Sequence, residues 1–289
     1  MTPEVVARAC ALLGGGPAEW VRVENRIASP NERWLVRLAD GRTAFAKAGF
    51  DEQSAEWIRA EQRVYAAVEG SFMPRLLGFE DGERPVLVIE DLSEAVWPPP
   101  WTPELVEAAK RALAELAATP PPAGLPAIGQ DRELADGWER VAADPEPFLS
   151  LGLCSRAWLD AALPTLRDAT AAAPLAGDAL LHVDVRSDNL CLRDGRVLLV
   201  DWNQAAVGNA LVDAVFFAPS LAMEGGPPPE EIVPPGAAPG LVALLAGFFA
   251  CRAGLPSPDW GPHLRLLQRG QLEVGLPWAA RELSLPAPS

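Results

Sequence analysis

The segment running from residue 182 to residue 202, HVDVRSDNLCLRDGRVLLVDW, gathers a histidine, an asparagine and several aspartates around one turn. Asp194-Gly195 is a two-residue hairpin signal. Counting outward from it, Arg193 faces Arg196, Leu192 faces Val197, Cys191 faces Leu198, Leu190 faces Leu199 and Asn189 faces Val200. Asn189 and Asp201 then stand side by side at the open end of the hairpin. An amide oxygen beside a carboxylate, with Asp184 just upstream, is a hard-oxygen set suited to Mg²⁺, with water and substrate phosphate completing the octahedron. Zinc fits worse, because His182 would be the one histidine within reach and no cysteine pair assists. Asp184 could stay off the metal, face a substrate hydroxyl and act as proton acceptor. Asp and Asn also cap loops, and Asp188 reads as such a cap. The coincidence of His182, Asp184, Asn189 and Asp201 around one hairpin favours chemistry over capping.

A second set lies near the N-terminus. Asp40-Gly41 marks another hairpin, and taking these two as its central residues pairs Leu38 with Thr43, Val36 with Phe45 and Trp34 with Lys47. Period-two alternation puts Lys47 on the face of Phe45, Val36 and Leu38, where an ammonium needs a partner. The helical spacing of Trp57, Ile58, Val64, Tyr65 and Val68 draws an apolar stripe with Glu61 in its middle. A desolvated Lys47–Glu61 pair between helix and sheet follows, and it reads equally as a purely structural pair or as part of a site. Ser29, Pro30 and Asn31 precede Trp34, beside Lys47. Small polar residues there could offer donors to an anion, but the loop has no glycine and reads equally as an ordinary turn.

The elements that must position these residues divide the chain in two. Residues 20 to 47 read as three antiparallel strands, 52 to 68 as a helix, and LLGF and PVLVIE as two further strands around EDGE. Beyond Asp91 the pattern turns to WPPPWTPE and then to long Ala/Leu-rich helices at 103–118, 155–173, 239–253 and 260–283. The expectation is an α+β chain of two lobes: residues 1–91 with a five-stranded antiparallel sheet and one helix, and residues 92–289, mostly helical.

Length and composition set outer bounds. The 289 residues, 49% hydrophobic, suffice for one large or two ordinary domains. Lys plus Arg number 24 against 39 Asp plus Glu, a net charge of −15 without a basic stripe, which disfavours nucleic acid as a partner. Cys10, Cys154, Cys191 and Cys251 lie far apart, consistent with reduced thiols. The longest strongly apolar run, 241–251, is shorter than the roughly 20 residues that cross a bilayer, and the first residues alternate at helical spacing, unlike a signal peptide. A cytoplasmic protein with no membrane contact is the expectation.

HVDVRSDN, followed twelve residues after Asn189 by Asp201-Trp202, resembles the HxDxxxxN…DW signature of the aminoglycoside phosphotransferase and choline kinase family, which has a protein-kinase-like fold. The resemblance extends over about residues 20 to 220, through AFAK, the helix with its glutamate, a VLVIEDL hinge and the DW segment in order. It implies a two-lobed fold and an ATP-dependent, Mg²⁺-requiring transfer of the γ-phosphate to a hydroxyl of a small molecule. Lys47 then resembles the lysine that holds the α and β phosphates, and Glu61 its helix partner. Asp184 resembles the catalytic aspartate, Asn189 and Asp201 the metal ligands, and the backbones of Glu90, Asp91 and Leu92 the adenine hinge. Asp213 resembles a helix aspartate that braces the catalytic loop. The family often has glycine or histidine where this chain has Val183 and Arg186, and Arg186 could reach the γ-phosphate.

The acceptor is expected to meet the loops at 130–155 and 220–240 and the last helix. Asp131, Glu133, Asp136, Glu224, Glu230 and Glu231 there would suit a cationic acceptor such as an aminoglycoside or amino alcohol, or are simply solvated. Trp138, Trp158, Trp202, Trp260 and Trp278 could line a pocket, with a core role the default. A catalytically silent nucleotide-binding regulator of the same fold is the alternative, although such a module has no need of Asp184.

Overall fold

A computed structural model describes residues 2–24 and 31–289. Ser29 lies outside the described residues. The chain begins with α1 (Glu4–Leu12), then β1 (Pro17–Arg22), β2 (Glu32–Leu38), β3 (Thr43–Ala48), α2 (Glu52–Ala67), β4 (Leu76–Glu80) and β5 (Val86–Glu90). The five strands form one antiparallel sheet in the order β1-β2-β3-β5-β4. This is the expected sheet. The helical spacing at the N-terminus becomes α1, which adds a second helix to this lobe. Its Val5, Val6, Ala9 and Cys10 pack on Val36, Leu38, Ala44, Ala46 and Val88 and close one face of the sheet.

The β2–β3 register departs from expectation by one residue. Arg37 pairs with Thr43, Leu35 with Phe45 and Arg33 with Lys47. The Leu38 N–H donates to the Arg42 carbonyl at 2.8 Å, so Ala39, Asp40 and Gly41 form a three-residue loop. Gly41 takes the left-handed position at φ +88° that such a loop requires. A one-residue slip exchanges the faces of a strand. Val36 and Leu38 therefore lie under α1, and the face carrying Lys47 and Phe45 receives Leu35 and Arg33 instead.

Helix α2 starts on a reciprocal cap. The Ser54 N–H donates to Asp51 Oδ1 at 2.8 Å and the Asp51 N–H to Ser54 Oγ at 2.9 Å. Its buried side is Ile58, Glu61, Val64 and Tyr65, as the apolar stripe predicts, with Trp57 half-buried.

The second lobe is built from α3 (Pro103–Ala118), α4 (Arg132–Ala135), α5 (Gly137–Ala143), α6 (Glu146–Leu149), α7 (Arg156–Ala171), α8 (Leu211–Met223), α9 (Pro239–Ala253) and α10 (Leu264–Glu282). Two small ribbons interrupt it: β6 (Ala179–Leu181) with β9 (Ala206–Gly208), and β7 (Leu190–Arg193) with β8 (Arg196–Leu199). The β7–β8 register matches the sequence expectation at every pair. Asp194 at φ +52° and Gly195 at φ +75° are both left-handed, the turn geometry that Asp-Gly selects. Helix α9 is apolar on all sides because it is buried among α5, α7 and α10, and Trp138 and Trp278 share its core.

A separate apolar cluster joins the lobes: Ile58, Val64 and Tyr65 of α2 and Leu87 of β5 pack with Leu105 of α3, Leu190 of β7 and Trp202. Phe72 sits in it, its ring 5.8 Å from that of Trp202 and its carbonyl accepting the Leu199 N–H at 2.8 Å. The four cysteines are free and buried, and burial pushes the thiol of Cys154 up to about 11 and that of Cys191 up to about 12. Among the described residues no helix is long and apolar enough to cross a membrane.

Two glycines make opposite predictions. Gly195→Ala places a Cβ at a left-handed position, which costs about 1–2 kcal/mol. Gly275→Ala lies inside α10, where an added Cβ meets nothing within 4 Å, and should stabilise by about 0.5–1 kcal/mol. Calorimetry should show Tm falling for the first and rising for the second by about 2–4 °C per kcal/mol.

Candidate active site

The β2–β3–β5 face not covered by α1 looks into a cleft of about 460 Å³. Lys47, on β3, reaches across it. Its Nζ donates to Glu61 Oε2 of α2 at 2.8 Å and to Asp201 Oδ1, just after β8, at 2.7 Å. The Lys47 and Glu61 side chains are 5% and 3% exposed, so this is a desolvated pair, extended by a carboxylate from the other lobe. Burial works against the Lys47 ammonium, yet Asp201 and Glu61 outweigh it and raise its pKa above the ordinary value. Burial likewise opposes the Asp201 carboxylate, but Lys47 and then Arg33 hold it well below the usual carboxylate range. Glu61 moves the other way, raised by burial that Lys47 only partly offsets.

Asp201 itself has φ +68°, a strained conformation for a residue with a side chain. Its Oδ2 faces the Arg33 guanidinium at 3.6 Å. Across the hairpin, the Val200 N–H donates to the Asn189 carbonyl at 2.9 Å, and Asn189 and Asp201 line the same cleft, as their register predicts. Asn189 Nδ2 donates to the Asp184 carbonyl and to Asp184 Oδ2, both at 2.9 Å. Those two donations turn the amide oxygen away from Asp184.

Asp184 and Arg186 are not lining residues of the cleft; Asp184 adjoins it through Asn189, which is one. Arg186 is 3.3 Å from Asp184 Oδ2, and its Nε and an Nη donate to Asp188 at 3.1 and 3.2 Å. Asp188 is therefore not only a loop cap. Burial raises its carboxyl pKa against the pull of Arg186.

The segment carrying Asp184 is held from behind. Asp213, in the first turn of α8, accepts the backbone N–H of His182 at 2.8 Å and of Val183 at 2.7 Å. His182 is fully buried, its ring tilted by 59° against that of Trp202 with the centroids 4.5 Å apart. The Asp184 N–H donates to its Nδ1 at 3.3 Å, so Nε2 carries the proton and donates to the Val200 carbonyl at 2.9 Å. Burial lowers the pKa of His182, and the neutral ring ties the Asp184 segment to the hairpin.

At the opposite end, Glu90 and Leu92 line the cleft with Val23, Leu35, Phe45 and Ile89. Asp91 does not: its side chain accepts the Ser93 N–H, and its carbonyl accepts a bond from Arg193. Asn31 lies just before β2, two residues from Arg33. Of the acidic residues near the acceptor loops, Glu224 reaches the cleft, accepting from Ser187 Oγ at 2.6 Å and from Trp101 Nε1 at 2.9 Å. Glu133 and Glu230 instead pair with Arg252 and Arg281, and Asp131 caps α4. Trp138, Trp158, Trp202 and Trp278 are core residues, while Trp97 lines the cleft. Sequence reasoning missed Arg33, Ser187 and Trp97. Only Arg33 left a signal, as a cation alternating with Leu35 on the Lys47 face once the register is right.

Among the described residues no group of three or more His, Cys, Asp or Glu side chains is placed to hold a metal. Mg²⁺ does not need such a group, since it takes one or two protein oxygens and completes its shell with water and phosphate. Asp201 Oδ2 and the Asn189 amide oxygen fit that role.

The model of the phosphotransferase enzyme family matches residues 25–234. The chain belongs to this family. Among solved structures, a choline/ethanolamine kinase family protein from Mesorhizobium loti superposes with a TM-score of 0.62 at 18% identity, covering 96% of this chain and 97% of that one. A thermostable mutant of aminoglycoside phosphotransferase APH(4)-Ia gives 0.59 at 17%, covering 96% and 97%. Amicoumacin kinase hAmiN, in complex with AMP-PNP, Ca²⁺ and Ami, gives 0.56 at 12%, covering 94% and 93%. At such identities these likenesses establish the fold, the two-lobed kinase-like architecture of the phosphotransferase family. A search of curated protein sequences finds no match.

The buried histidine gives a pH test. Because the His182 pKa is lowered on folding from its ordinary value, its contribution to stability is complete above about pH 6.5 and is lost as pH falls through the folded-state pKa. The urea midpoint should fall between about pH 7.5 and 5.5 by more in the wild type than in His182→Gln. Equal falls would remove His182 as the source.

Proposed function

We propose that this protein is an ATP-dependent kinase that phosphorylates a hydroxyl of a small, amine-bearing molecule. The observation that carries the reading is the Lys47 ammonium held at 2.8 Å from Glu61 and 2.7 Å from Asp201. Such an ammonium, fixed from two lobes beside two candidate metal ligands, suits a nucleotide polyphosphate better than any neutral ligand. In this reading residues 1–91 form the nucleotide-binding lobe and 92–289 the catalytic and acceptor lobe. The adenine lies against Leu35, Phe45 and Ile89, and the backbones of Glu90 and Leu92 meet its edge. Asp91 supports that segment through Arg193. Asn189 and Asp201 hold Mg²⁺, which when bound neutralises the phosphate charge.

Phosphoryl transfer needs placement and charge stabilisation more than covalent chemistry. Lys47 orients the phosphates. Asp184, with Asn189 donating to one of its oxygens, orients the acceptor hydroxyl and takes its proton. Arg186, which lies against Asp184 and Asp188, positions Asp184 in this reading and approaches the transferred group. The amine-bearing acceptor rests on Glu224, a carboxylate in a cleft walled by Trp97, Pro98 and Pro99. Such a surface favours a cation.

ADP release should be measured with Mg·ATP across amino sugars, amino alcohols and neutral sugars. Turnover with amine-bearing acceptors and none with neutral ones is expected. Absence of turnover with every hydroxyl acceptor, together with tight nucleotide binding, would favour a silent nucleotide-binding protein instead. Asp184→Asn should lower kcat by at least ~100-fold while nucleotide still binds. Arg186→Ala should lower kcat by about 10–100-fold with little change in the KM for ATP. Lys47→Met leaves Glu61 without its hydrogen-bonded cation and Asp201 with the more distant Arg33, and should cost about 3–5 kcal/mol of stability, read by urea denaturation.

A further inference from the structure

We propose that Arg33 is a phosphate-binding residue of the nucleotide site, one that exchanges Asp201 for phosphate oxygens when nucleotide enters. The inference rests on the cleft being a nucleotide site and adds a residue that the sequence motifs do not include. Arg33 sits directly across the β2–β3 ladder from Lys47, so both side chains rise from the same face of the sheet. It lines the cleft and is 16% exposed.

What sets Arg33 apart is how little holds it. Lys47 is already engaged by two carboxylate oxygens, both within 2.8 Å. Arg33 meets Asp201 Oδ2 only at 3.6 Å. Its Nε is buried and has no hydrogen-bond partner among the described residues. A buried donor without a partner is costly, and five N–H donors in a rigid fork suit a phosphate that can accept two of them at once. The geometry thus provides a guanidinium with spare donors, beside an ammonium that already spends two of its three N–H groups on carboxylates.

Charge balance points the same way. Arg33 and Lys47 face Glu61 and Asp201, two cations against two anions. A divalent cation at Asp201 would compete with the guanidinium for Oδ2 and leave it facing a second cation. Phosphate oxygens that bind the cation also give Arg33 a new anionic partner, so the exchange keeps every charge paired.

The test is equilibrium binding, followed by tryptophan fluorescence or calorimetry, of ADP and of adenosine to the wild type, Arg33→Met and Arg33→Lys, each with and without Mg²⁺. Arg33→Met keeps most of the apolar stem and removes the fork. ADP affinity should fall about 10–100-fold, the effect of losing a charge-assisted hydrogen bond, while adenosine affinity changes less than about twofold. Retained adenosine binding shows that the variant is folded. Arg33→Lys should recover part of the loss, since a point charge cannot make the forked contact. An ADP affinity unchanged in Arg33→Met, or ADP and adenosine weakened equally, overturns the role of Arg33 and leaves the nucleotide site standing. A wild type that binds neither ligand overturns both.

Discussion

The protein is organised around one buried ammonium. Lys47 has given up its hydration, and that loss is tolerable only because Glu61 and Asp201 meet it from two directions. Each carboxylate comes from a different part of the chain, one from the helix behind the sheet and one from the end of the β7–β8 ribbon. The charge set therefore fixes helix, sheet and ribbon relative to each other. No member can leave without stranding the others. A site that handles polyphosphate needs this constraint, because its cations must already be in place when the anion arrives.

Behind the charged set lies a second layer that carries no net charge of its own toward the cleft. His182 is kept neutral by burial and bridges the Asp184 segment to the ribbon. Asp213 turns two backbone N–H groups of that segment toward itself. These contacts hold Val183 at φ +71°, a conformation that a β-branched residue does not adopt unforced. The Asp184 carboxylate inherits its position from this support, and Asn189 completes it with a hydrogen bond.

How much of this was legible depended on whether the information was local. The Asp194-Gly195 turn is two residues long in both sequence and structure, so its register, and with it the placing of Asn189 next to Asp201, could be read correctly. At Asp40-Gly41 the same dipeptide sits in a three-residue loop, because Leu38 pairs with Arg42. Nothing in the dipeptide itself distinguishes these loops, and the slip moved Val36 and Leu38 to the wrong face. Lys47 escaped the error because its face was fixed by its own strand neighbours, Phe45 and Thr43, and by the glutamate in the stripe of α2. The Lys47–Asp201 contact spans 154 residues and left no local trace. Arg33 was hidden by the same register slip, which placed it on the opposite face. Asp91 entered the hinge through the resemblance alone, and the Arg193 contact to its carbonyl, made from another element, had no local signal.

The apolar cluster that joins Ile58, Val64 and Tyr65 to Leu190 and Trp202 has one more consequence. Any rotation that withdrew Glu61 from Lys47 would have to pull a greasy wedge out of the neighbouring lobe, at about 25 cal/mol for each Å² of apolar surface wetted. The helix is thus a keystone rather than a lever. What keeps the charged set in register is therefore grease as much as charge.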